Sequence, residues 1–294
     1  MDTDEVMRLA RELKIPPIPS IEEYNKHKLT HTPYKAWCPI CVQGQAQNPL
    51  HKRNTNEREF PSFHMDYMFM SPNVFDEQSN FPILVLKEKT TGGVWAIPVM
   101  RKGINGGDQV VERLVKIIAD FGSPKAILKC DQEPAIKDLQ KETRKEMNNY
   151  VNQVQTDARE TGHMTGVNII IENSPVGESQ SNGVAENAVK EVQCAIRKLK
   201  CQLEENMTVK LEKNSPIWPW LVQYAAQTIH TFKEYKTDGK TSRERIRGNP
   251  TAPEVCNFGE SVLYKPSKTN VIAKAEPKWY YGIWLGFIDE TNEL

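Results

Sequence analysis

The chain has 294 residues, of which 38% are hydrophobic and 26% charged, and its formal net charge is zero. These values are typical of a soluble globular protein with one sizeable core and one or two small additions. No apolar run approaches the roughly 18 residues of a membrane span, so we expect no membrane contact. Overall neutrality disfavours a protein that coats DNA, but it leaves room for a local basic track.

The N-terminal residues 1–25 predict a short amphipathic helix followed by a proline-rich linker. Their mixed charge and the lack of an apolar block do not fit a signal peptide. Among the six cysteines only Cys38 and Cys41 are closely spaced, which disfavours a disulfide framework. We therefore expect a cytoplasmic or nuclear protein.

Residues 26–53 are rich in side chains that bind zinc. Two histidines are four residues apart, a CxxC pair follows, and a third histidine comes ten residues later. Thiolate and imidazole are the ligands of tetrahedral Zn²⁺, and such a site can fold a segment that is too small to build a core. The alternative is a solvent-facing helical turn beside an incidental CxxC pair. The candidate ligands are His27, His31, Cys38, Cys41 and, as an alternate, His51.

Five apolar runs predict β-strands, and amphipathic segments predict the helices between them. Three consecutive strands form an antiparallel meander, after which helices and short strands alternate. This order predicts an α/β fold with a five-stranded mixed sheet flanked by helices. Residues 138–166 are interpreted as a mostly polar helical excursion with little apolar weight. The predicted strands are residues 60–69, 81–87, 93–100, 125–131 and 167–171.

Three acidic residues mark this pattern. Asp66 lies in the middle of an aromatic-rich strand, Asp131 at the end of a later strand, and Glu186 on the following helix. The alternatives are a structural hydrogen bond for Asp66 and a helix N-cap for Asp131. Converging carboxylates would instead bind Mg²⁺ or Mn²⁺. A pair of such ions, roughly 4 Å apart, serves phosphodiester chemistry.

The helix that carries Glu186 also presents a polar face. Glu186, Lys190, Gln193 and Arg197 fall within roughly 60° of one another around the helix axis. A carboxylate followed by cations and an amide suits a metal ion and then a phosphate backbone, although a solvated face with a Glu–Lys pair fits the same spacing. The rival carboxylates are Glu133 and Glu178, and Glu178 lies in a loop that would hold a metal less firmly.

Together these residues resemble the retroelement integrases. The sequence QSNGVAEN around Glu186 is similar to the Q-x-N-G-x-x-E signature at the third catalytic carboxylate of that family. Asp66 within FHMDYMF and Asp131 within LKCDQEPA resemble the first and second, and the His/Cys set resembles the HHCC zinc module. LTR-retrotransposon members are closer than retroviral ones, because residues 259–264 and 284–287 resemble their C-terminal segment.

The resemblance implies an RNase H-like catalytic core that uses two Mg²⁺ or Mn²⁺ ions to trim the 3′ ends of element DNA and join them to target DNA. It also implies DNA contacts by Lys190, Gln193 and Arg197, a homo-oligomer and a nuclear site of action. Two departures are visible: 54 residues separate Asp131 from Glu186, where the family has about 35, and the zinc module is compressed.

The C-terminal third is less informative. Residues 216–232 predict a hydrophobic helix, and residues 233–247 carry a modest basic stripe that suits either DNA or a solvated connector. Neither a protease DTG triplet nor a reverse-transcriptase YxDD occurs, so we expect a piece of a longer polyprotein. The predicted domains are an N-terminal helix and linker at 1–25, a zinc-binding module at 26–53, a catalytic core at 57–235, a basic connector at 236–258 and a truncated β-module at 259–294.

Two other functions fit parts of this sequence. A catalytically decayed or domesticated relative would bind DNA or a partner without cutting, although all three carboxylates are present. An RNase H-like nuclease that acts on hybrids would share the core, but the zinc module and the QSNG loop disfavour it.

Overall fold

A computed structural model describes residues 16–45, 59–70, 81–104, 108–158, 167–175, 182–212, 215–248, 254–265 and 277–287. The chain forms two compact units, Met1–Asn54 and Thr55–Leu294. The finer five-part division drawn from the sequence stays a prediction. No helix within the described ranges combines the length and the apolar composition that a membrane crossing requires.

The first unit contains two short helices, α1 (Ile21–Lys28) and α2 (Pro39–Gln45). Helix α1 begins after Ser20, whose side chain accepts a hydrogen bond from the main-chain N–H of Glu23 at 3.2 Å. The amphipathic helix predicted from residues 1–14 and the alternate zinc ligand His51 lie outside the described residues.

The second unit is built on the predicted five-stranded mixed sheet. Strand β1 pairs antiparallel with β2, and β2 with β3, whereas β1, β4 and β5 run parallel. The strand order is β3-β2-β1-β4-β5, which is the RNase H-like arrangement expected from the sequence. The strands are β1 (Ser62–Phe69), β2 (Pro82–Glu88), β3 (Val94–Pro98), β4 (Lys125–Cys130) and β5 (Asn168–Asn173).

Helices cover both faces of this sheet. One face packs against α3 (Asp108–Ala119) and α4 (Pro134–Ala158), and the other packs against α5 (Gly183–Met207) and α6 (Trp218–Phe232). Because side chains alternate along a strand, β1 sends Phe63, Met65 and Tyr67 into the first core and Met68 into the second. Asp66 shares the parity of Met68, so it belongs to the face that α5 covers.

Helix α4 corrects the expectation of a polar excursion with little apolar weight. Ile136, Leu139 and Met147 are fully buried on one stripe of this helix. The stripe also contains Gln140, whose side-chain amide donates to the main-chain carbonyls of Leu128 at 2.6 Å and of Glu172 at 3.0 Å. A buried amide needs such partners. Gln140 therefore occupies a core position although its residue type is polar.

Part of the basic stripe after α6 is docked on the β2–β3 turn, whereas its Lys236 and Lys240 are exposed. The hydroxyl of Tyr235 donates to the carbonyl of Gly92 in the β2–β3 turn at 2.9 Å. The guanidinium of Arg245 lies 4.2 Å from the centre of the Tyr235 ring and pairs with Asp238 at 2.7 Å. Helix α7 (Ser242–Arg247) thus belongs to a segment docked on the hairpin.

The C-terminal strands β6 (Ser261–Tyr264) and β7 (Tyr280–Ile283) form a separate two-stranded antiparallel sheet. Residues beside these strands join the core on the α6 side. Tyr224 of α6 stacks on Phe258 at 5.3 Å between ring centroids and meets Trp284 edge-on at 5.0 Å. Residues that flank the two strands therefore pack on α6.

Candidate active site and metal centre

The pairing of β1 with β4 brings Asp66 and Asp131 together. Each paired residue of β1 lies opposite the β4 residue 65 positions later, as in His64 opposite Lys129. The same offset carried two residues further puts Asp66 level with Asp131, just past Cys130 at the end of β4. Neighbouring strands are about 4.8 Å apart, so the two carboxylates lie at one edge of the sheet.

Helix α5 reaches this edge through Asn182. The side-chain amide of Asn182 donates to the main-chain carbonyl of Met65 at 3.3 Å, and Asn182 itself is buried. Although Asn182 precedes the helix at the N-cap position, its side chain makes no cap hydrogen bond. This tertiary hydrogen bond takes the place of a cap. It holds the start of α5 against Met65, the residue before Asp66, and Glu186 follows Asn182 by one helical turn.

The carboxylates interact electrostatically. The pKa of Asp66 is raised from 3.8 to about 6, chiefly by burial and also by the negative charges of Asp131, Glu186 and Glu133, against a hydrogen bond from the main-chain N–H of Tyr67 that lowers it. That N–H donates to Asp66 Oδ1 at 2.8 Å. Repulsion among carboxylates at one place is the signature of a site that a cation would relieve.

The alternatives raised for Asp66 and Asp131 are partly realised. Asp131 Oδ1 accepts the N–H of Glu133 at 3.1 Å, in the turn before α4, and Asp66 Oδ1 accepts the N–H of Tyr67. Each bond engages one oxygen of its carboxylate. The neighbouring thiol of Cys130 does not compete as a ligand, because burial raises its pKa to about 12.

Within the described residues, the three carboxylates do not form a closed cage for one ion. Two ions roughly 4 Å apart would need no such cage, because each would be held by a different pair of carboxylates. Hard oxygen donors in a group of carboxylates fit Mg²⁺ or Mn²⁺ by their chemistry.

The first unit does hold a closed cluster of metal-ligating atoms. The ligand atoms of four residues all lie within 4.8 Å of one another. His27 Nε2 is 3.2 Å from Cys41 Sγ, and His31 Nδ1 is 3.5 Å from Cys38 Sγ and 3.9 Å from Cys41 Sγ. Zinc–ligand bonds of about 2.0 and 2.3 Å predict nitrogen–sulfur edges of about 3.6 Å in a tetrahedron. The four residues therefore fit zinc.

Two features of the first unit reinforce this fit. The main-chain N–H of Cys41 lowers the pKa of the Cys38 thiol, which favours the thiolate that metals bind. The ring of Trp37 meets that of His27 edge-on at 4.9 Å between centroids, so it shields the cluster on one side. His27, Cys38 and Cys41 are themselves buried.

No protein-family model and no curated protein sequence matches the chain. Retroviral integrases are among the solved structures that resemble it. One belongs to the simian T-cell lymphotropic virus intasome in complex with PP2A regulatory subunit B56 gamma, with 15% identity, a TM-score of 0.44, and coverage of 84% of this chain and 76% of that one.

Two isolated catalytic cores are also similar. The HTLV-2 integrase core in complex with magnesium, in its trimeric form, is 12% identical with a TM-score of 0.38, and the match covers 63% of this chain and 97% of that one. The BIV integrase core is 14% identical with a TM-score of 0.38, covering 63% and 92%. At such identities the function of this chain has to come from its own residues.

The predicted DNA-contacting face follows Glu186 along α5. Lys190 and Arg197 are exposed, and Gln193 is half-buried. The next residue after Lys190, Glu191, is half-buried instead and accepts hydrogen bonds from Lys87 at 3.3 Å and from Lys233. The helix thus directs Glu191 toward Lys87 and Lys233 and leaves Lys190 and Arg197 exposed to solvent.

Sequence reasoning missed two contributors to this site. The sequence motif around Glu186 contains Asn182 without indicating a separate role for it, although an N-cap-type residue before a helix with an acidic first turn is a usable signal. Glu133, weighed only as a rival ligand, is paired with Lys102 at 2.6 Å. The other rival, Glu178, lies outside the described residues.

Proposed function

We propose that this chain is a metal-dependent polynucleotidyl transferase of the retroelement integrase type. Its reaction would trim the 3′ ends of linear element DNA by hydrolysis and then use the freed 3′-hydroxyl to attack a phosphodiester of target DNA. The observation that supports the proposal is that Asp131 and Glu186 both raise the pKa of Asp66, while strand register sets Asp66 level with Asp131.

The three carboxylates would share one role in this proposal, that of metal ligands. Asp66, Asp131 and Glu186 would hold two divalent ions, which when bound activate the attacking oxygen and stabilise the leaving oxygen. Strand register sets Asp66 level with Asp131, and Asn182, one helical turn before Glu186, is bonded to the carbonyl of Met65, the residue before Asp66. Asn182 would act as a positioning residue, because it holds Glu186 against the strand that carries Asp66.

The DNA partner is proposed from the surface of α5. Lys190 and Arg197 present exposed cations on the turns that follow Glu186, and Gln193 adds an amide between them. Such side chains would contact phosphates and would therefore bind DNA with little sequence preference and strong dependence on salt. They would orient the DNA end toward the carboxylates.

The remaining assignments accompany this function. The zinc-fitting cluster of the first unit would organise that unit and help to assemble a homo-oligomer on DNA. Joining DNA to chromosomal targets implies action in the nucleus. An LTR-retrotransposon origin rests on the sequence similarity of residues 259–264 and 284–287 to the C-terminal segment of those elements.

A disintegration assay tests the proposal. The purified chain with Mn²⁺ should resolve a branched DNA substrate, and Asp66→Asn should reduce the rate by at least about a hundredfold. The matched control is Asp138→Asn, a substitution of the same type at an exposed position on α4. Retained activity in Asp66→Asn would refute the assigned role.

The same assay separates the decayed alternative. A chain that binds DNA and both kinds of metal but shows no turnover with either Mn²⁺ or Mg²⁺ would be a DNA-binding relative. The intact set of three carboxylates favours turnover, because loss of selection on catalysis would leave no reason for them to remain together.

A further inference from the structure

The hydroxyl of Ser174 is buried at the edge of the sheet where Asp131 lies. Ser174 is 3% exposed, and within the described part of the chain its Oγ has no hydrogen-bond partner. Its main chain is held from both sides, because the N–H donates to the carbonyl of Cys130 at 2.9 Å and the carbonyl accepts the side-chain amide of Gln132 at 2.6 Å. A buried hydroxyl that is fixed in place without a partner is costly, so it calls for a ligand.

Strand register places Ser174 in one row with two of the carboxylates. Each paired residue of β5 lies opposite the β4 residue 43 positions earlier, as in Asn173 opposite Cys130. The next step of this ladder sets Ser174 level with Asp131, and the hydrogen bond from Ser174 to Cys130 shows that the ladder reaches that far. Asp131 is itself level with Asp66. The three residues therefore follow one another across β5, β4 and β1, at about 4.8 Å per strand.

The members of this row share one face of the sheet. One step earlier, on the face of the first core, the thiol of Cys130 donates to the side-chain oxygen of Asn173 at 3.3 Å. Because side chains alternate along a strand, Asp131 and Ser174 both belong to the opposite face, on the side of α5. Asp66 belongs to that face as well. The hydroxyl of Ser174 thus lies on the same side of the sheet as the carboxylates.

A serine hydroxyl in this row suits the surroundings of a hydrated cation. It offers one donor and two acceptor sites, and it adds no negative charge to the repulsion among the carboxylates. Mg²⁺ usually keeps several of its waters when a protein binds it. Groups that hydrogen-bond to the ligands of a metal fix the orientation of those ligands. An uncharged hydroxyl one strand away from Asp131 is able to take this part.

We infer that Ser174 is a positioning residue of the metal centre, an inference that rests on the proposed function. Its hydroxyl binds the hydration shell of the ion that Asp131 ligates, and so it orients that ion relative to Asp66. The hydroxyl is itself held in place through Gln132, which bonds to the Ser174 carbonyl and accepts the ammonium of Lys137 at 3.1 Å. Ser174 acts through water and makes no contact with DNA.

The experiment measures Mg²⁺ binding to the zinc-loaded full chain, through the increase of the free energy of unfolding with Mg²⁺ concentration. Ser174→Ala should raise the Mg²⁺ dissociation constant by about 10- to 100-fold. In Mg²⁺-free buffer this variant should be no less stable than the wild type, because it removes a buried hydroxyl that has no partner. Ser174→Thr keeps the hydroxyl and should restore Mg²⁺ binding.

Ser62→Ala is the matched control. Ser62 is also buried and lies on the same face of the sheet, four residues or about 13 Å before Asp66 along β1. Its Oγ is 3.2 Å from His64 Nε2, so it already has a partner. Ser62→Ala should therefore lower the stability of the Mg²⁺-free chain and leave the Mg²⁺ dissociation constant unchanged. The two serines thus differ in the sign of their effect on Mg²⁺-free stability and in their effect on the ion.

Failure of this inference is distinguishable from failure of the proposed function. A wild type that resolves branched DNA, beside a Ser174→Ala variant with the same Mg²⁺ dissociation constant, would remove the role of Ser174 and keep the function. Weaker Mg²⁺ binding by Ser174→Ala in a chain without any turnover would keep the positioning role and remove the function. A wild type with neither Mg²⁺-dependent stabilisation nor turnover would overturn both.

Discussion

The side-chain amide of Asn182 donates a hydrogen bond to the main-chain carbonyl of Met65 at 3.3 Å. This bond joins the start of α5 to β1 at the residue before Asp66, across 117 positions of sequence. It therefore sets the distance between a carboxylate on the sheet and a carboxylate on the helix. The active site proposed here depends on it more than on any contact of the carboxylates themselves.

Asn182→Ala should reduce activity by about tenfold or more and raise the Mg²⁺ concentration needed for half-maximal rate, because Glu186 loses its anchor. Losing one buried hydrogen bond should also cost about 1 kcal/mol of unfolding free energy. The measurements are a metal titration of the disintegration rate and chemical denaturation. Asn187→Ala, at an exposed position on the same helix, is the control. A stability loss with an unchanged metal requirement would contradict the positioning role.

Asp66→Asn should make the metal-free chain more stable at neutral pH while it abolishes activity. The pKa of Asp66 is raised from 3.8 to about 6, chiefly by burial, so folding favours its protonated form. The contribution of protonated Asp66 to the stability of the wild type is fully present below pH 3.8, and it is lost as the pH rises through about 6. Asparagine removes this loss, which is about 1 to 2 kcal/mol once solvent screening is allowed for.

The measurement for Asp66 is the free energy of unfolding in the presence of a chelator at about pH 5 and about pH 7.5. These two values lie on either side of the pKa of about 6. The difference between wild type and Asp66→Asn should grow with pH. Adding Mg²⁺ should stabilise the wild type and leave the variant nearly unchanged. Equal responses to Mg²⁺ would place the ion elsewhere.

One zinc ion per chain should be bound by the His/Cys cluster. Cys41→Ser should release the metal and unfold the first unit, since the residues buried in its described part are His27, Cys38 and Cys41, all of the cluster. His27→Ala should do the same, whereas His51→Ala should retain zinc, because His27, His31, Cys38 and Cys41 already complete four ligands. Metal content by mass spectrometry and proteolysis of residues 1–54 provide the readouts. Loss of zinc in His51→Ala would show that His51 is a zinc ligand in place of one of these four residues.

DNA affinity should depend on α5 and not on the basic segment after α6. Lys190→Gln and Arg197→Gln should each weaken binding severalfold and lower the salt slope by about one. Arg245→Gln should lower thermal stability with little effect on DNA, because its guanidinium is engaged with Asp238 and the Tyr235 ring. Anisotropy titrations at several salt concentrations check this. A larger loss in Arg245→Gln would move the DNA track to that segment.

The sheet was predictable because its strands are apolar on both faces and its helices are amphipathic. Local patterns of this kind report which residues are buried. They failed in α4, where Gln140 and Thr143 occupy core positions through hydrogen bonds that the sequence does not display. They also failed after α6, where the cations at 233–247 looked like a surface stripe and are in part fastened to the β2–β3 hairpin.

The sequence by itself determined the residue types of both sites: three carboxylates on two strands and a helix, and a His/Cys set with zinc spacing. Short-range spacing sufficed for the zinc cluster, because its four ligands lie within 15 residues of one another. Only the tertiary structure decided that Asp66 is level with Asp131, that Asn182 draws Glu186 to them, and that Lys102 holds Glu133 aside. Those relations join residues far apart in the chain, and strand register and side-chain hydrogen bonds across such distances leave no periodic trace in the sequence.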